Sequence, residues 1–215
     1  MKFFQHQFVD IPLAERVEIN GKRYYKTTDG IFPSVTSVLG SKLDKSGLQQ
    51  WKKRVGEEEA MKVSIQATNR GREVHDLCEK YLLNDPNYHA GAMPVNLFTF
   101  NTIKPYLDSR IGKIFGIELY LWSKSLNSAG ACDLFAEWDG IPSIIDFKTS
   151  KRAKRSDQIE SYFLQTTAYS IMAQELTGIE IPQIVVLIAV DDSETQVFAE
   201  SRRKYIPRLA EVFCG

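Results

Sequence analysis

The sequence predicts an α/β fold: a three-stranded antiparallel meander extended by a parallel strand, flanked by helices, with a helical N-terminal cap. Three observations predict it. Three strand-like runs, IFGIELYLWS, AGACDLFAEW and PSIIDFK, follow one another from Lys113, separated by the turn-forming pairs Asn127-Ser128 and Asp139-Gly140. A later run, PQIVVLIAV, is apolar without alternation, as in a strand covered on both faces. Helical periodicity dominates the first half of the chain and returns between the meander and that buried strand.

The elements follow in order. ERVEI-NG-KRYYKT reads as a hairpin, because Asn20-Gly21 suits a two-residue turn that needs positive φ at both central positions. FPSVTSVLG reads as a short helix capped by Ser34 and stopped by Gly40. Helices are expected over about Gly47–Lys62, Thr68–Leu83 and Leu97–Ile111. In the second, Val74, Leu77, Cys78, Tyr81 and Leu82 form the apolar stripe, and Asn84-Asp85-Pro86 ends it. After the meander, Tyr162, Gln165, Tyr169, Met172 and Leu176 share one face of a helix over about Asp157–Leu176, which Gly178 ends. TQVFAES reads as an edge strand, and a last helix spans about Arg203–Phe213.

Composition bounds the function. The 215 residues suffice for one domain with a sizeable core. Lys and Arg balance Asp and Glu at 27 each, so any nucleic-acid surface must be a local patch. Three cysteines without paired spacing argue against a zinc ribbon, an iron–sulfur cluster or a disulfide framework. No signal-like leader or membrane-length apolar run is visible, so the expectation is a cytoplasmic protein, of a bacterium or of a phage-infected cell, without a membrane partner.

The chemistry concentrates in the second and third meander strands. A strand alternates faces, so Asp146 and Lys148 point one way while Ile145 and Phe147 point into the core. The Asp139-Gly140 turn sets the start of one strand beside the end of the next, which lets Asp133 approach Asp146. Two such carboxylates repel unless a cation or proton lies between them. Oxygen ligands with open positions suit Mg²⁺ or Mn²⁺, which can activate water against a phosphodiester, with Lys148 positioning the water. The plainer alternative is that Asp133 and Lys148 face solvent and Asp146 only pairs with Lys148.

Gly130-x-x-Asp133, Asp146-x-Lys148 and Gln165-x-x-x-Tyr169, in that order, resemble the PD-(D/E)XK nuclease superfamily in its RecB-like exonuclease branch. Gly71-x-x-x-His75 matches that branch's histidine motif, and FPSVTSVL, RGREVHDL and KTSKR resemble the mitochondrial genome maintenance and phage-encoded exonucleases. The resemblance covers roughly residues 32–190. It implies a restriction-endonuclease-like core, catalysis by Asp133, Asp146 and Lys148, and a Mg²⁺ or Mn²⁺ held by His75, Asp133, Asp146 and the Phe147 carbonyl. It also implies that Gln165 and Tyr169 lie near the DNA. The proline of the "PD" name and the cluster-binding cysteines of some relatives are absent.

The run from Lys148 to Arg155 is the most basic stretch, so Thr149, Ser150, Lys151 and Arg152 are expected to meet DNA phosphate, as are Arg70 and Arg72 beside Gly71. Glu118 is an outside candidate for the metal or the DNA. Of Phe32, Trp51 and Trp122, two are expected in the core rather than stacked on bases. The whole chain is thus read as one nuclease domain, with a cap over residues 1–112 and a catalytic core over 113–215. The expected function is a metal-dependent exonuclease acting on single-stranded DNA or DNA ends. An endonuclease with the same site and a catalytically silent DNA-binding module are the alternatives.

Overall fold

The computed structural model describes residues 2–43, 46–191 and 193–214, apart from the side chains of Leu48 and Cys214. The chain opens with β1 (Gln5–His6), β2 (Glu15–Ile19), β3 (Lys22–Thr27) and β4 (Gly30–Pro33). Four helices follow: α1 (Val35–Lys42), α2 (Ser46–Val55), α3 (Glu57–Leu82) and α4 (Pro94–Arg110). The meander strands are β5 (Ile111–Ser123), β6 (Ser128–Trp138) and β7 (Ile141–Ser150). Then come α5 (Glu160–Thr177), β8 (Gln183–Val190), β9 (Gln196–Ser201) and α6 (Ile206–Cys214).

The main sheet has the order β1-β5-β6-β7-β8-β9. The β5-β6-β7 meander is antiparallel, β8 runs parallel to β7, and β9 closes one edge antiparallel to β8. At the other edge β1 pairs parallel with β5, a two-residue strand too short to carry a sequence pattern. A second sheet, β2-β3-β4, holds the expected hairpin, with Asn20 at φ 52 and Gly21 at φ 70. Asp139 and Gly140 likewise both take positive φ in the β6–β7 turn. Asn127 is left-handed as expected, but Ser128 already pairs with Ser123 as the first residue of β6.

The buried strand sorts the helices into two layers. Val185, Leu187 and Ala189 join Ile145, Phe147, Leu134 and the inner faces of α3 and α4. Ile184, Val186 and Ile188 pack instead with Ile159 and Phe163 at the start of α5. Farther along that face, α1, α5 and α6 meet Leu121, Cys132, Phe135 and Ile144. The result is a mixed sheet between two helical layers, and residues from both halves of the chain share the two larger cores.

Two helix boundaries differ from expectation. Gly40 lies inside α1, which runs on to Lys42, because a glycine in αR conformation only weakens a helix. The break expected between Lys62 and Thr68 falls instead at Gly56, whose φ of 87 stops α2, and α3 then continues for 26 residues. The stretch MKVSIQAT contains no glycine or proline to interrupt it. Between residues 57 and 70 only Ala60 is buried, whereas Val74, Leu77, Cys78, Tyr81 and Leu82 are. The first half of α3, with α2 against it, therefore projects from the body, and the second half is anchored. No helix among the described residues is long and apolar enough to cross a membrane.

Candidate active site

The ladder pairs of β6 with β7 end at Leu134 and Ile145. One step further, the Asp133 side chain takes over a backbone role: its Oδ2 accepts the Phe147 N–H at 2.8 Å. On the α3 side His75 reaches the same peptide segment, with Nε2 2.7 Å from the Phe147 carbonyl oxygen. A carbonyl only accepts, so Nε2 donates this bond, and Nδ1 is the nitrogen that faces Asp133. That Nδ1 lies 3.5 Å from Asp133 Oδ1. This geometry suits either a shared proton or one cation bound by both atoms.

Glu118 completes that corner. Ligand atoms of His75, Glu118 and Asp133 lie within 4.8 Å of one another, a spacing that one ion can bridge. In the β5–β6 register Ile117 faces Leu134 and Leu119 faces Cys132, which sets Glu118 opposite Asp133. Its φ is 50, in the left-handed region that glutamate rarely adopts. Burial, then the Asp133 carboxylate, pushes the Glu118 carboxyl up to about 7.

The second cluster faces α5. Asp146 is buried, with Oδ2 against the Lys148 ammonium and Oδ1 accepting from Gln165 Nε2 at 3.1 Å. Burial raises the Asp146 carboxyl to about 6; Lys148 opposes the rise and Asp133 adds to it. Burial works against the Lys148 cation, yet Asp146 and then Asp133 outweigh it and hold the amine above its usual range. The ammonium also sits 5.3 Å over the Tyr162 ring.

Gly130 and Tyr169 explain each other. A Cβ at Gly130 would lie 2.6 Å from Tyr169 Cε1 and 2.7 Å from its hydroxyl oxygen, so only glycine leaves room for the ring. Gln165 Nε2 lies 3.4 Å from that hydroxyl, so the same contact steadies the amide that holds Asp146. Gly71, by contrast, is not forced by crowding: a Cβ there would meet Thr149 Oγ1 at an ordinary 3.8 Å. Two buried thiols flank these clusters, Cys78 on α3 and Cys132 beside Asp133, and burial raises both well above the usual thiol range.

The structure thus joins His75, Asp133 and Phe147 in one cluster and Asp146, Lys148 and Gln165 in the next. Thr149 and Ser150 are half-buried at the end of β7, while Lys151 and Arg152 are exposed. Two expected DNA contacts need correction. Tyr169 is 3% exposed and walled in by β6, so it cannot meet DNA; its place is behind Gln165. Arg70 is not free for phosphate, because Asp191 holds its guanidinium. Arg72 is exposed and lines a cavity of about 370 Å³ with His75, Asp76, Glu79 and Glu118. Phe32 and Trp122 are core residues and Trp51 is half-buried. Glu118, an outside candidate in the sequence, is the acid that the structure brings beside His75 and Asp133.

Comparison with known proteins adds little to this picture. No protein-family model matches the chain, and neither does any curated protein. Among solved structures, a provisionally described exonuclease from Eubacterium rectale is similar over 68% of this chain and 68% of its own, at 12% identity and a TM-score of 0.41. A likeness that distant bears on neither the site nor the activity, which rest on the residues above.

Proposed function

We propose that this protein is a metal-dependent DNA exonuclease of the PD-(D/E)XK superfamily, in its RecB-like branch, formed by the whole chain as one nuclease domain. The observation that carries the reading is the facing pair of His75 Nδ1 and Asp133 Oδ1 beside the buried Asp146–Lys148 pair. The carboxylates and the Phe147 carbonyl are hard oxygen donors that suit Mg²⁺ or Mn²⁺, and the imidazole favours Mn²⁺ of the two. His75, Asp133, Asp146 and Glu118 would hold the ion. When bound, it supplies an activated water and charge neutralisation at the phosphate.

The protein's own groups do the rest. Lys148 stays protonated beside Asp146 and offers N–H donors to the attacking water and to the phosphoryl oxygens as negative charge builds on them. Gln165 meets one Asp146 oxygen and Lys148 the other, so a bound ion would share one of those oxygens through its second lone pair. Lys151, Arg152 and the hydroxyls of Thr149 and Ser150 stand at the end of β7, where the flanking phosphates would pass. The projecting α2–α3 arm beside His75 favours a strand fed in by its free end, hence an exonuclease rather than an endonuclease.

The test is degradation of end-labelled linear DNA and of closed single-stranded circles, with Mg²⁺, Mn²⁺ or chelator. The expected result is metal-dependent shortening of linear DNA with circles intact. Lys148→Ala lowers the rate roughly 10²–10³-fold. Asp133→Asn, which keeps an acceptor for the Phe147 N–H, does the same without loss of the fold. Cut circles would make the protein an endonuclease. DNA bound but intact under every metal condition would make it a binding module.

A further inference from the structure

The two sides of the active centre carry opposite charge. On the α3 side, the cavity beside His75 is lined by Asp76, Glu79 and Glu118 against Arg72. On the α5 side a groove leads away from the site. It begins where Gln165 holds Asp146 and Tyr162 lies under the Lys148 ammonium. There a cavity of about 290 Å³ is walled by Tyr162 and Gln165 of α5, by Thr36, Leu39 and Gly40 of α1, and by Leu43 just after it. Thr36 also borders a larger cavity, about 560 Å³, between α1 and the β2–β3 hairpin. Arg16, Lys22, Arg23 and Ser37 line it, with Glu18 as the one carboxylate against three cations. Among the described residues, none of the three cations is in an ion pair.

We infer that a single DNA strand leaves the Asp146–Lys148 centre over α1, with its bases against Tyr162, Leu39 and Leu43 and its phosphates on Arg16, Lys22 and Arg23. This rests on the nuclease reading and extends it with a binding track. A polyanion is repelled by the acids of the α3 side and attracted to the basic cavity, where three cations stand against the one carboxylate of Glu18. The apolar and aromatic wall between them suits unpaired bases, which stack on such surfaces without regard to sequence. Thr36 and Ser37, whose hydroxyls share hydrogen bonds with Ser34 Oγ, stand where groove and basic cavity meet. A strand held on one side only also gives the site a direction, because the substrate is anchored by one flank and the other flank is short.

The experiment measures binding of a short labelled oligothymidylate by fluorescence anisotropy over a range of salt, in chelator so that nothing is cut. The full-length protein is compared with the triple variant Arg16→Ala, Lys22→Ala, Arg23→Ala; all three side chains are exposed, so the core is untouched. The expected loss is about 2 in the slope of log affinity against log salt, at about 0.7 per phosphate contact for a single strand. An unchanged slope overturns the track. Metal-dependent shortening of the same oligonucleotide by the wild-type protein is read separately. Cutting with an unchanged slope removes the track and keeps the nuclease reading. A lost slope without cutting keeps the track and removes that reading, and a wild-type protein that binds no DNA overturns both.

Discussion

Strand β6 has two neighbours, and each brings an acid toward Asp133 by a different route. On one side β7 pairs in unbroken register from Trp138↔Ile141 to Leu134↔Ile145, and no residue from Ile141 to Ser150 has positive φ. Asp146 and Lys148 arrive there by the plain period of a strand. On the other side β5 shifts register twice, between Ile111 and Ile114 and between Ile114 and Gly116. Beyond the shifts Glu118 is held at φ 50, a backbone state that costs on the order of 1–3 kcal/mol for such a residue. Gly116 allows this curl, since a Cβ there would lie 2.1 Å from Leu119 Cδ1. The regular route delivers its acid without strain. The distorted one persists against a cost, as backbone outliers do where position matters more than stability.

Three perturbations separate the two routes. The largest is expected on the regular side, which leans on α5. Gly130→Ala would drive a methyl into the Tyr169 ring and loosen Gln165, lowering stability by about 1–3 kcal/mol in denaturant titrations. An unchanged unfolding midpoint would mean that the ring has room and that Gly130 serves another purpose.

The second perturbation is pH, which acts on both acids. Asp146 is raised to about 6 and Glu118 to about 7, each above its ordinary carboxylate range. Acids raised in this way favour the metal-free fold fully below the ordinary carboxylate range, and that contribution is lost as pH rises from there through the raised values. A cation must displace their protons, so its binding strengthens over the same interval. The stabilisation of the protein by Mn²⁺, read as the shift in melting temperature, should therefore grow from pH 5.5 to 7.5 by roughly the equivalent of tenfold in affinity. A shift that is flat across this window would exclude both acids as ligands.

The smallest effect isolates the distorted route. Glu118→Gly relieves the left-handed backbone and should stabilise the metal-free protein by about 1 kcal/mol. The same substitution should weaken Mn²⁺ binding in calorimetry. Stabilisation with unaltered Mn²⁺ affinity would leave Glu118 as a strained bystander.

The contrast between the routes also explains what was legible in the sequence. Asp146 and Lys148 could be placed because a strand's period is local, and Asp133 because Asp139-Gly140 dictates a tight turn. Ser34, Asn20-Gly21 and Gly178 marked their cap, turn and stop for equally local reasons. Glu118 was only an outside candidate, since nothing local in the sequence announces its left-handed backbone or the two register shifts that precede it. Tyr169 showed its helix face but not its role, because the reason for it is the missing side chain of Gly130 on another element. Gly56 hid among helix-forming lysines, arginines and glutamates, and β1 was too short for any pattern.

One feature of the interior gives the site a clock of its own. Cys78 lies in the core under α3 and α4, and Cys132 in the core under α5, each with a thiol kept neutral and out of solvent. A small alkylating reagent reaches either one only when its layer lifts from the sheet. The modification rates of the two cysteines therefore time the breathing of the two helical layers separately. An ion that ties His75 to Asp133 should slow the clock at Cys78 more than the one at Cys132.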